Sequence, residues 1–183
     1  MNPENTIEFL IENAIQWVET QRNEHRLTAR ILTETEKSEF KHFFDSNILD
    51  LARIKSVPVI ENPGFYSDLQ DLKIPRLLNF RNASGITFKD TIVISQQYLK
   101  ADSRLRSLIF HELVHVVQYE VFGVREFIER YIRSWADNGF NYSSIHFEIE
   151  AHKLQQRYET DPGKEFSVVD KVRQRLGARS LRG

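Results

Sequence analysis

The 183-residue sequence predicts a single helix-rich α+β domain with a small, mostly antiparallel sheet. Three observations predict it. Apolar residues recur at helical spacing over most of the chain. One stretch, 85–95, carries clear β patterning around a Lys89-Asp90 turn. The composition, 40% hydrophobic and 11% aromatic, is that of a chain that buries a core rather than one that stays disordered.

The elements follow in order. Asn2-Pro3 opens the first helix, with proline at the first helical position, and Ile7, Leu10, Ile11, Ala14, Ile15 and Val18 form its buried stripe. A second helix is expected from about Glu34 to Asn47, burying Phe40, Phe43 and Phe44. Leu51 to Ile60 reads as a strand, and Pro58 suggests an exposed edge. Residues 61–80 read as loop with one helical turn. Two short β runs then flank Lys89-Asp90 as a hairpin. Asp102 or Ser103 caps a helix to about Phe122, where Gly123 stops it. Further helices fit Val124 to Trp135 and Ser144 to about Tyr158. A last amphipathic stretch uses Phe166, Val168, Val169, Val172 and Leu176. The chain divides into a helical N-terminal part, about 1–50, a chemistry-bearing core, about 85–160, and a basic C-terminal tail, about 171–183. That tail carries Arg173, Arg175, Arg179 and Arg182.

Composition excludes several functions. The absence of cysteine rules out disulfide scaffolds, thiolate zinc fingers, iron–sulfur sites and cysteine nucleophiles. A net charge of −1 gives no overall attraction to nucleic acid, so a DNA-binding role for the basic tail is not expected. The acidic N-terminus lacks the pattern of a signal peptide, and no apolar run reaches the ~20 residues of a membrane span. A cytoplasmic protein is the expectation.

The chemistry is concentrated in His111-Glu112-Leu113-Val114-His115, an H-E-x-x-H motif inside the strongest helical segment. Histidines four residues apart lie about 40° apart round a helix, so their imidazoles converge on one Zn²⁺. Glu112 projects about 100° away, beside such a metal, where it serves as general base. Composition alone predicts about 0.02 such matches in a chain like this, so chance is a poor explanation. Ile109, Leu113, Val116 and Val117 form the opposite, apolar side, which leaves His111, His115 and Gln118 in front.

A catalytic zinc needs a third protein ligand and an open position for water. The candidates lie in Ser143–His152, where His146, Glu148, Glu150 and His152 share one expected helix. Glu148 and His152 are one i, i+4 pair, and His146 and Glu150 are the other.

Over roughly residues 85–160 the pattern resembles the gluzincins, and most closely the CAAX-type endopeptidases and their soluble relatives. These zinc peptidases complete H-E-x-x-H with E-x-x-A-D on a later helix. Glu148-Ile149-Glu150-Ala151-His152 is similar, with histidine where the family has aspartate. The resemblance implies a zincin-like fold, Glu148 as third ligand, and His152 as the residue supporting a ligand histidine. It also implies an edge strand beside the active helix that pairs with an extended peptide substrate, for which Thr91 to Ser95 is the candidate. The family's membrane helices are absent, so its prenylated substrates do not carry over. For oxyanion stabilisation Tyr142 and His146 are candidates, with Tyr119 and Tyr131 as alternatives. The expected function is that of a zinc metallopeptidase acting on peptide or protein. The alternative is a catalytically silent, metal-binding interaction module.

Overall fold

The computed structural model describes residues 3–69, 74, 76–98 and 102–177. The capping side chains expected of Asn2, Asp102 and Ser103, and the tail residues Arg179 and Arg182, fall outside what is described. Six α-helices and four strands make up the described α+β fold: α1 (Pro3–Arg26), β1 (Arg30–Ile31), α2 (Glu34–Phe40), α3 (Ser46–Leu51), β2 (Arg53–Val57), β3 (Gly85–Phe88), β4 (Thr91–Ser95), α4 (Asp102–Asp137), α5 (His146–Thr160) and α6 (Val168–Leu176). Short 3₁₀ turns cover Gly64–Leu69, Phe80–Asn82, Gln96–Tyr98 and Tyr142–Ser144.

The sheet runs β1-β2-β4-β3. β1 and β2 are antiparallel, β2 and β4 parallel, and β3 and β4 antiparallel. β3 and β4 form the expected hairpin. Phe88 pairs with Thr91, and Lys89 sits at φ 58° between them. Two strand expectations are corrected. β4 lies inside the sheet, so Thr91–Ser95 is not an edge; the edge beside α4 is β3. β2 is interior too, because it ends at Val57 and leaves Pro58 just outside the ladder. That placement suits a residue without an N–H to donate.

The expected helix from Glu34 to Asn47 is broken. α2 stops at Phe40, and α3 begins beyond Asp45. The intervening turn lets Phe40, Phe43 and Phe44 all reach one aromatic cluster, where Phe110 stacks on Tyr158 at 4.5 Å. α4 contains the expected break: Gly123, at φ 73° and ψ 166°, divides it into two limbs. Only glycine adopts that conformation without strain.

Two buried clusters fill the interior. Ile92 and Ile94 of β4 join Ile54, the aromatic cluster, the apolar back of α4's first limb, and parts of α5 and α6. Val93, on the other face of β4, joins Phe88, α1 and α4's second limb. With both faces covered, every residue of β4 is buried. The hairpin is tied to α1 by Asp90, which is 1% exposed and meets Arg22 at 2.8 Å and Arg26 at 3.0 Å. α6 is docked rather than solvated: Val172 is buried, and Arg173 and Arg175 lie on this helix, not in a tail beyond it. No helix among the described residues is long and apolar enough to cross a membrane.

Candidate metal centre

α4's first limb lays its apolar back on the core, so its opposite face carries His111 and His115 towards α5. Their Nε2 atoms stand 3.1 Å apart. Glu148, on the first turn of α5, brings Oε2 to 3.4 Å from His111 Nε2 and Oε1 to 3.5 Å from His115 Nε2. All three side chains are buried, and so is Glu112. Ala151, fully buried on the next turn, lets α5 pack closely against α4.

These separations test whether a metal fits. Donors about 2.0–2.1 Å from a tetrahedral zinc lie about 3.3–3.4 Å from one another. The imidazole pair at 3.1 Å and the two Glu148 oxygens, each 3.4–3.5 Å from one imidazole, lie near that edge length. The electrostatics agree. Two ring nitrogens and a carboxylate facing one another need a cation between them, and in its absence a proton takes the role. Burial alone would lower the pKa of His115, but the adjoining Glu148 carboxylate carries it up to about 9. Burial would likewise raise Glu148, yet His115 and His111 hold it well below the ordinary carboxylate range.

The outer nitrogens of both imidazoles are engaged. Gln118 Oε1 is 2.7 Å from His115 Nδ1, and the same amide donates to the Phe147 carbonyl at 3.1 Å. Gln155 Oε1 is 3.0 Å from His111 Nδ1, and its amide donates to Ser107 Oγ at 2.7 Å. Each amide therefore accepts from an Nδ1–H and leaves Nε2 free to ligate. Gln155 thus supports His111 from behind. His152 is partly exposed, its ring 4.6 Å from that of His111, and its partial burial, followed by the charge of His111, depresses its pKa. It does stand close: one donor atom each from His111, Glu148 and His152 lie within 4.8 Å of one another. The His111–His115–Glu148 set is the tighter one, and both of its rings are locked from behind.

Two phenols fix the Glu148 carboxylate. Tyr131, from α4's second limb, donates to Oε1 at 2.9 Å, and Tyr142 donates to Oε2 at 2.5 Å. Burial, followed by the neighbouring carboxylate, raises the pKa of both. Tyr119 is buried against Phe127, and His146 is exposed at the start of α5, outside the cluster.

Glu112 is held from the other side, by β3. Thr87 Oγ1 lies 2.7 Å from Glu112 Oε2 and 3.1 Å from the Glu112 carbonyl. Gly85 leaves the space the carboxylate occupies, since a Cβ there would stand 2.8 Å from Oε1. Glu150, the other acidic candidate of α5, points away from the cluster. It is 4% exposed, and its Oε2 pairs with a neighbouring base, Arg175 of α6, at 3.1 Å.

Gln118 was visible on the front of α4, and Gln155 follows Glu148 by seven residues, two turns down the same face. Nothing local in the sequence marks Gly85 or Thr87, because each acts only through tertiary packing; Tyr131, an oxyanion candidate in the sequence, instead donates to Glu148.

The model of the eCIS core domain family, found in extracellular contractile injection system proteins, matches residues 70–121. That is less than a third of the chain, and it takes in β3, β4 and most of α4's first limb, with Thr87, His111, Glu112 and His115. No curated protein and no solved structure matches the chain.

Proposed function

We propose that this protein is a zinc-dependent peptidase, with His111, His115 and Glu148 as metal ligands and Glu112 as general base. The observation that carries the reading is the convergence of the two Nε2 atoms and the Glu148 carboxylate at 3.1–3.5 Å, with Glu112 held separately beside them. A bound zinc would supply a water acidified to a pKa of roughly 7 and polarise the scissile carbonyl.

The chain's own residues do the rest. Thr87 occupies Glu112 Oε2, so Oε1, the oxygen beside Gly85, takes the proton of the attacking water. Glu112 then returns that proton to the leaving nitrogen as the C–N bond breaks. Tyr131 and Tyr142 hold both Glu148 oxygens in place. Gln118 and Gln155 fix the imidazole tautomers. β3 is the edge strand at the site, and an extended peptide pairing with it would pass Glu112. An intact general base on α4, held in place by β3, favours catalysis over a purely structural metal.

The test compares metal content and turnover. Purified protein is expected to carry one zinc per chain and to cleave members of a mixed peptide library. Glu112→Gln should keep the metal and lose cleavage. Stoichiometric zinc without turnover in the wild type would instead establish the silent binding module.

A further inference from the structure

The metal centre opens into a cavity of about 1190 Å³. Ligand pockets of about 300–1,000 Å³ already enclose drug-sized molecules, so this volume exceeds the needs of a single side chain. His111, Glu112, His115 and Glu148 line one part of it, with the edge-strand residues Gly85, Ile86 and Thr87. The remaining wall is largely apolar. Leu10, Ala14 and Trp17 come from α1, Phe80 from the turn before β3, and Ile132 and Trp135 from α4's second limb. Apart from the metal-centre cluster, the charged lining residues Arg76, Arg104 and Glu159 are solvent-exposed. A charged side chain entering the apolar part would lose its hydration without gaining a buried partner.

The geometry points to a substrate class: extended peptides with a bulky apolar side chain beside the scissile bond, seated against α1 and α4's second limb. This inference rests on the peptidase reading. The continuity of one cavity from Glu112 to Trp17 and Trp135 carries it, because a chain lying along β3 delivers alternate side chains into the same space that holds the general base. α1 thereby becomes a specificity element, although it lies far from H-E-x-x-H in sequence.

Both tryptophans of the chain line this cavity, so intrinsic fluorescence reports occupancy without any turnover. The experiment titrates the Glu112→Gln variant with three blocked hexapeptides, glycine throughout except for a central Phe-Leu, Ala-Ala or Asp-Lys pair. Phe-Leu is expected to bind at least about tenfold more tightly than Ala-Ala, with Asp-Lys weakest. Adding Ala14→Phe should erase that preference while leaving zinc content unchanged. Ala83→Leu, also in the cavity lining, provides a second variant should the first unfold. Equal binding of Phe-Leu and Ala-Ala, or tightest binding of Asp-Lys, overturns the proposal. So does an unaltered preference in either folded, cavity-filled variant. Preferential Phe-Leu binding with no cleavage by zinc-loaded wild type overturns the peptidase reading and leaves the apolar site standing. Cleavage of Ala-Ala as fast as Phe-Leu does the reverse.

Discussion

Gly85→Ala tests the placement of the general base with a single methyl group. The new Cβ would stand 2.8 Å from Glu112 Oε1, 3.1 Å from Cδ and 3.3 Å from Cγ. Ordinary van der Waals contact begins near 3.5 Å, so the carboxylate must retreat by about 0.7 Å or more. That retreat stretches the 2.7 Å contact from Thr87 towards the limit of a hydrogen bond. The obstructed atoms belong to the far end of a flexible side chain, so the fold accommodates the change. Losing one hydrogen bond to a charged group costs about 1.5–3 kcal/mol, and restricting the unfolded chain returns about 0.4–1 kcal/mol. The expected loss of stability is therefore below about 3 kcal/mol. Catalysis is more sensitive, because a misplacement of about 1 Å in a reacting group costs on the order of 10²-fold. The assay measures kcat and KM on a peptide cleaved by wild type, with zinc per chain and Tm as controls. The expected result is a folded, zinc-loaded protein whose kcat falls about 10²-fold. Thr87→Val should fall in the same direction, and Thr87→Ser should recover most of the loss. Wild-type kcat in folded, metal-loaded Gly85→Ala would refute the assignment of Glu112 and of β3 as its support.

Other outcomes follow from the same geometry. Glu148→Ala should abolish zinc binding, whereas Glu150→Ala should retain zinc and lower Tm by freeing Arg175; zinc titration of both variants decides between the carboxylates. Gln118→Leu and Gln155→Leu should each weaken zinc binding about 10–100-fold, read by competition with a chelator, because each removes the acceptor that fixes a ligand tautomer. Asp90→Asn should destabilise the fold by about 2–3 kcal/mol in denaturant unfolding, a figure discounted for the partial exposure of Arg22 and Arg26. Burial alone would raise the pKa of Asp90, but Arg22, Thr91 and Arg26 hold it below its ordinary value. Its contribution is therefore complete above the unfolded carboxylate value of about 3.9 and is lost as pH falls through the folded value. Stability of Asp90→Asn should accordingly vary less than wild type below about pH 4.

The sequence by itself determined what depends on neighbours along the chain. Spacing placed His111 and His115 on one helical face with Glu112 to the side, and an apolar back opposite them. Lys89-Asp90 marked the hairpin, and Gly123 marked the break in α4. Two i, i+4 pairs on α5 could be recognised but not ranked from residues alone, because a helix presents both. Only the packing of α5 decided between them, with Ala151 and Glu148 turned to α4 and Glu150 turned to Arg175 on α6. The sheet edge was likewise a tertiary fact. β4 reads as an edge candidate until β2, 38 residues earlier in register, pairs with it in parallel and leaves β3 outermost. Gly85 and Thr87 gained their meaning there, because a close approach to Glu112 exists only once β3 lies against α4. Tyr131 reaches Glu148 only because the chain turns at Gly123. Local periodicity fixes which face a side chain occupies, and contact between faces distant in sequence fixes what that side chain meets.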